Sequence, residues 1–207
     1  AAEGLFTPPG PNVALGMPYE YRPRAKYALC RDEGDATQLT DGAYTVGYFW
    51  SQKSTVGWYR SQRVDIAIDL GEERPIAGVS VNTAAGTAGV EWPNAIFVLV
   101  SGDGERWYLV GELTEMSNEE LGSPPSEYSI HRYATSELET HGRYVRLLAV
   151  YFPYFFTDEI EVYAGDEALL AATPGEPVED VEAMADRVSI AAARGERGSA
   201  SARGRPL

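Results

Sequence analysis

Only one cysteine and two histidines occur in the 207 residues, so the side chains that most often hold transition metals or act as nucleophiles are nearly missing. Cys30 cannot close an internal disulfide, so cysteine usage neither demands nor excludes an oxidising compartment, and a lone Cys more often packs than reacts. His131 and His141 are spaced too far apart for a metal-binding motif, with His131 expected to face a neighbour across a sheet and His141 in a turn. No apolar run approaches the ~20 residues a membrane helix needs. No Gly-rich phosphate loop opens a helix, and no serine stands in a nucleophile elbow.

Positive charge is scarce as well. The 17 Lys and Arg stand against 31 Asp and Glu, a formal net charge of −14. That charge repels phosphate backbones and excludes a nucleic-acid role, and it disfavours anionic membrane lipid. Cations and neutral ligands remain. A chain of this length with 44% hydrophobic residues has enough apolar material for one domain with a substantial core and some additional chain. Its start, Ala-Ala-Glu, fits a mature protein freed of a signal peptide and fits a trimmed segment equally well.

What is abundant is short apolar runs divided by Gly, Asp and Pro. Residues 1–11, with Pro8, Pro9, Gly10 and Pro11, form an extended lead-in outside the core, and Asn12 to Met17 follows as a short edge segment. Val64 to Leu70 alternates, with Val64, Ile66, Ile68 and Leu70 on one face and Asp65 and Asp69 on the other. After the Glu-Glu-Arg-Pro turn, Ile76 to Ala84 alternates again, which predicts two neighbouring antiparallel strands. Further strands are predicted over 94–101, 106–113, 128–134, 143–151 and 159–164. Two of these, NAIFVLVS and RYVRLLAVY, are apolar on both faces and belong in the middle of packed sheets. No useful helical period precedes residue 166. Residues 166–207 read as a linker or tail, with one amphipathic helix within 176–194 through Val178, Val181, Met184 and Val188, then a disordered, Arg-bearing end over 195–207.

The pieces NVALGMP, LTDG, VDIAIDLG, PIAGVSV, IFVLVSGDGERW, RYVRLLAV and DEIEVY, in that order across residues 12–165, resemble the discoidin family, also called coagulation factor 5/8 type C domains. This family lies within the galactose-binding-like β-sandwiches, which include many carbohydrate-binding modules. The resemblance implies an all-β, antiparallel jelly-roll sandwich, a fold that the alternation and turn signals support independently.

The resemblance also implies a structural Ca2+ ion held by the Asp-Gly turn and by a Glu opening the last strand, which carries over to Asp41 and Glu159. Calcium takes six to eight hard oxygen ligands, so backbone carbonyls must join two acids; Gln38, Ala43 and Asp158 are the expected donors. The family often places Asn or Asp two residues after the turn aspartate, where this chain has Ala43, so Thr45 is the candidate hydroxyl ligand. Asp41 reads equally as a turn former whose side chain caps its own loop.

For the ligand, sugar rings offer apolar C–H faces, so exposed aromatics with a few polar groups are the natural partners. Three aromatic regions, 48–63, 85–92 and 151–156, correspond to family loops that converge at one end of the sandwich. The candidates, in order, are Trp58, Arg60, Tyr154, Trp50, Trp92 and Phe155, whereas Trp107 reads as framework. The adjacent acids Glu119-Glu120 and Asp158-Glu159, read as strand residues, face opposite ways and cannot share one bond, so catalysis is not expected. The resulting expectation is a noncatalytic carbohydrate-binding module, secreted or periplasmic, tethering a catalytic domain to glycan or polysaccharide. A protein- or cell-surface adhesion module and a structural accessory domain without a ligand are the alternatives.

Overall fold

The computed structural model describes residues 5–193. In chain order these residues form β1 (Tyr19–Arg22), β2 (Val56–Tyr59), β3 (Arg63–Ala85), β4 (Ala95–Ser101), β5 (Trp107–Glu112), α1 (Leu113–Leu121), β6 (Ser129–Thr135), β7 (Thr140–Val150), β8 (Tyr154–Thr157), β9 (Ile160–Ala164), β10 (Glu176–Val178) and α2 (Val181–Ala193). Every strand pairing among them is antiparallel. The fold is an all-β sandwich.

β3 organises it. Its first half pairs with β1 and β7, and β4, β5 and β10 follow outward, while its second half pairs with β6 and β9. Val64, Ile66 and Ile68 therefore share one core with Val79, Val81, Ile160 and Val162. This corrects the expected pair of neighbouring strands: 64–70 and 76–84 are two ends of one strand. The Glu-Glu-Arg-Pro segment is no hairpin turn, because β7 runs past it. Asp69 pairs with Tyr144 and Arg74 with Gly142, so the extra β3 residues bulge outward there and let the strand pass to the second sheet.

The two strands with two apolar faces have an explanation in the chain's last part. Ile96, Val98, Val145 and Leu147 face the sandwich core. Phe97, Leu99, Leu148 and Val150 face the other way and are covered by Val181, Met184 and Ala185 of α2. Residues 166–193 are accordingly no linker: β10 extends the sheet beside β5 and α2 closes its outer face. The expected helix begins at Val181 because 176–178 are taken by the sheet. Ion pairs fix its N-terminal half, with Arg63 donating to Asp186 at 2.5 Å and to Glu182 at 3.1 Å. The expected disorder over 195–207 lies outside the described residues.

Helix α1 was not expected either. Its nine residues are capped by the Glu112 carboxylate, which accepts from the amides of Thr114 and Glu115. Leu113 and Ser117 bury against the sandwich, and Ser117 Oγ accepts the Ala134 amide of β6. Glu119 and Glu120 therefore belong to a helix, and Glu120 accepts from the Thr135 hydroxyl at 2.8 Å. The lead-in lies along β9, where Ala164 N donates to the Pro11 carbonyl and the Phe6 ring meets Tyr163.

Candidate functional site

The Thr-Asp-Gly turn is held from behind by the chain that precedes β1. Thr40 Oγ1 donates to the Met17 carbonyl at 2.8 Å, and Gly16 N donates to the Thr40 carbonyl at 2.6 Å. Gly42 has φ +80°, a conformation that costs glycine little, and Ala43 N donates to Asp41 Oδ1 at 2.8 Å in a side-chain turn. Thus Asp41 does cap its own loop, with its second carboxylate oxygen uncommitted among the described residues.

Glu159 lies just before β9 and is 1% exposed. Its Oε1 accepts the Gly42 amide at 3.1 Å, and its Oε2 is buried without a hydrogen-bond partner among the described residues. Burial pushes its carboxyl up to about 9, opposed by the Gly42 amide and reinforced by the nearby Asp41. Asp158, next along the chain, points elsewhere: Oδ1 accepts from Asn82 Nδ2 at 2.9 Å and Oδ2 from Thr45 N at 2.6 Å. The Thr45 hydroxyl is bonded to Ser54 and Thr55 at 2.8 and 2.9 Å, so it braces the loop and is not free to act as the hydroxyl ligand expected from sequence.

An unpaired, desolvated carboxylate oxygen beside a second acid suits a hard cation. Among the described residues no three His, Cys, Asp or Glu side chains gather around one point. Asp41 and Glu159 thus form the whole acidic set, and the remaining donors would be backbone carbonyls, for which Gln38, Ala43 and Asp158 are the candidates from the sequence.

The three aromatic regions do meet. Trp50, Val90 and Phe156 pack into one buried cluster with Cys30, Phe49, Ala84 and Ala85, and Tyr27, Trp92, Tyr128 and Tyr154 border it. Burial pushes the Cys30 thiol up to about 12, in keeping with a packing role. Three expected ligand residues are core residues here. Trp58 is 0% exposed, with its indole N–H donating to the Pro23 carbonyl at 2.9 Å and its ring against Tyr21 and Phe155. Trp50 and Phe155 are each 3% exposed. Trp58 and Phe155 face the main core and Phe156 the second cluster, while Tyr59 and Tyr154, a register pair at the end of the β2–β8 ribbon, stay partly exposed.

Tyr59 and Tyr154 stack at 5.0 Å between centroids with 21° between planes, and Tyr27 meets Tyr154 edge-on at 5.8 Å. The exposed Arg60 guanidinium lies 5.0 Å from the Tyr59 ring centre. Arg60 and Gln62 both hold positive φ, 55° and 64°, which is strained backbone for side chains with a Cβ, and Ser61 between them is bonded to the Tyr151 hydroxyl. Across the cluster, the exposed Tyr48 packs against Tyr128 at 5.1 Å. Tyr48 and Tyr59 lie in an aromatic region named from the sequence without being ranked there, whereas Tyr27 and Tyr128 lie outside all three regions. Trp92 is half-buried, donates to the Pro125 carbonyl at 2.9 Å and packs against His131.

The domain is thus an antiparallel β-sandwich in which aromatics from three regions of the chain border one cluster and an acid-bearing turn is tied to the entry of β9. The F5/8 type C domain pattern matches residues 26–153, and the chain belongs to that family. No curated protein matches the chain. Among solved structures it is similar to chitosan-binding module 1 of a chitosanase/glucanase from Paenibacillus sp. IK-5, at 18% identity and TM-score 0.46 over 74% of this chain and 98% of that one. It is also similar to CpGH89CBM32-6 of Clostridium perfringens, at 16% identity and TM-score 0.45 over 75% and 100%. A third similarity is to a fucolectin from striped bass (Morone saxatilis) serum, at 16% identity and TM-score 0.49 over 74% and 48%.

Proposed function

We propose that the chain is a noncatalytic glycan-binding module. The observation that carries this reading is the partly exposed pair Tyr59 and Tyr154, stacked beneath the Arg60 guanidinium on a strained turn. Each tyrosine offers a ring face for sugar C–H groups and a phenol for hydroxyls, and arginine adds fixed donors. Strain in a turn that carries such groups is a cost that function explains better than folding does. Arg60 and Tyr154 keep their place as ligand candidates from the sequence, joined by Tyr59 and Tyr27, whereas Trp92 lines a separate cleft. The histidines support binding over catalysis: His131 packs against Trp92 and Tyr133, and His141 lies between the Glu73 carboxylate and the Ala172 carbonyl.

The same reading includes a structural calcium held by Asp41, Glu159 and backbone carbonyls. Bound there, the ion would supply positive charge to the buried carboxylate and lock the turn to β9. A secreted or periplasmic setting, and a polysaccharide-degrading partner domain whose substrate this module would hold close, complete the proposal.

Binding to a glycan array and retardation in polysaccharide affinity gels test the reading. Wild type should be retained, and Tyr59→Ala with Tyr154→Ala should release it. A folded wild-type protein that no glycan retains would overturn it and favour the adhesion alternative.

A further inference from the structure

Away from the tyrosines, a cleft of about 510 Å³ opens between β4, α1 and the second half of α2. Trp92, Glu112, Asn118, Tyr133, Val188 and Ala192 are among its walls. Val188 and Ala192 belong to α2, beyond the 26–153 family match, so the wall they form is an addition to the common domain.

One polar atom in this wall is buried without a partner, and a tyrosine joins it in the lining. Asn118 Oδ1 is buried with no hydrogen bond among the described residues. Tyr133 is 2% exposed; its ring is held edge-on by His131 and Trp92, and no described group bonds its hydroxyl. Both residues line the cleft, and α1 is tied to β6 close by through the Ala134 amide and the Ser117 hydroxyl. A buried polar group left unpaired costs about 1–3 kcal/mol, and native proteins carry few of them.

The other polar side chains of the cleft include the exposed Asn94 and Ser123, the bonded Thr114 and two carboxylates. Glu112 accepts the amides of Ile96 and Thr114 at 2.6 and 2.9 Å, and the Trp92 N–H is taken by Pro125, which leaves the indole as an apolar wall. Glu115 stands exposed at the mouth, and no Lys or Arg lines the cleft. An anion would meet carboxylates without a counter-charge. Clefts of roughly 300–1,000 Å³ with apolar walls and a few convergent polar groups are the usual form of small-molecule sites.

We propose that this cleft is a second ligand site, taking a single sugar-sized, polyhydroxylated ring of neutral or positive charge. One ligand hydroxyl or ammonium donates to Asn118 Oδ1, a second hydroxyl bonds the Tyr133 phenol, and a C–H face lies on Trp92. It does not depend on the stacked tyrosines, since none of them lines it.

Titration of the ¹⁵N-labelled full chain with glucose, glucosamine and glucuronate tests this. Glucose and glucosamine should shift the Asn118 side-chain amide, the Trp92 indole N–H and the Val188 and Ala192 amides, with glucuronate at least roughly tenfold weaker. Asn118→Leu should weaken binding roughly tenfold, about 1.4 kcal/mol. Tyr133→Phe should weaken it similarly without lowering the melting temperature of the free protein, which a structural hydroxyl would not permit. Should Asn118→Leu misfold, Val188→Trp fills the cleft from the helix and should abolish the shifts. Absence of shifts at these four positions, an equal response to glucuronate, or undiminished shifts in both Asn118→Leu and Val188→Trp would overturn the proposal. Shifts confined to Tyr59 and Tyr154 would overturn it while supporting the glycan surface described above; shifts confined to the cleft would do the reverse.

Discussion

Gly42 and Glu159 are 117 residues apart in sequence, yet the Gly42 amide donates to Glu159 Oε1 at 3.1 Å and ties the turn near the domain's start to the entry of its last core strand. The bond uses one carboxylate oxygen and leaves the other buried and unpaired. A cation bound at that oxygen should stabilise the fold. Added Ca2+ is therefore expected to raise the wild-type melting temperature and EDTA to lower it, by several degrees. In Glu159→Gln the calcium response should vanish, and in Asp41→Ala it should shrink. No calcium shift in the wild type, or a full shift in Asp41→Ala, would rule the ion out.

The second prediction separates packing from binding among the aromatics. Trp58→Ala removes a fully buried ring and its bond to Pro23, so it should destabilise by about 3–5 kcal/mol, visible in denaturant unfolding. Tyr154→Ala removes a half-exposed ring and should cost far less stability while reducing glycan affinity roughly tenfold, about 1.4 kcal/mol. If Tyr154→Ala left glycan retention untouched, the stacked pair would not be the platform.

These two residues also show what was legible. Alternation placed Val64, Ile66 and Ile68 on the core face, and the doubly apolar strands were placed centrally, because burial on a pleated strand writes itself every second residue. Parity does not sort Val56–Tyr59 and Tyr154–Thr157, because both faces of that ribbon are buried and only its end pair, Tyr59 and Tyr154, is partly exposed. The continuity of β3 was not legible locally, since only the partner strand β7 reveals that 70–73 is a bulge. α1 escaped because its nine residues carry little apolar periodicity and are fixed by a Glu cap and by packing on β6. Around the Asp-Gly turn, Glu159 accepts the Gly42 amide with Asp41 nearby, and the Thr45 hydroxyl is bonded to two neighbouring hydroxyls that no spacing announces.

Acid stability offers a third prediction. Arg143 donates to both oxygens of Asp69, at 2.8 and 2.9 Å, and this bonding holds the Asp69 carboxyl below its ordinary 3.8. A depressed carboxyl contributes stability that is present above the unfolded-state value and lost as pH falls through the lower folded-state value. Wild type should therefore lose this contribution below about pH 4. Asp69→Asn should be less stable than wild type at pH 7, by up to about 1 kcal/mol because the pair is partly exposed, and the difference should close toward pH 2. A gap that widens on acidification would contradict the pairing.

The last prediction concerns the helix that the family pattern does not include. Met184 is 7% exposed against Phe97, Leu99, Leu148 and Val150, so the helix hides the outer apolar face of β4 and β7. Met184→Ala should cost about 2 kcal/mol, the low end for a buried methionine at the margin of a core. Met184→Asp places a charge on that face and should cost more, exposing apolar strand surface that binds a hydrophobic dye and promotes association. Arg63→Ala, which removes the partner of Asp186 and one of three arginines around Glu182, should cost less than 1 kcal/mol, because ion pairs to exposed carboxylates are screened. If Arg63→Ala proved the more damaging of the two truncations to alanine, electrostatics and not apolar burial would be what holds α2 on the sheet. The burial of Val181, Met184 and Ala185 over a face that four large side chains leave apolar argues for the opposite order.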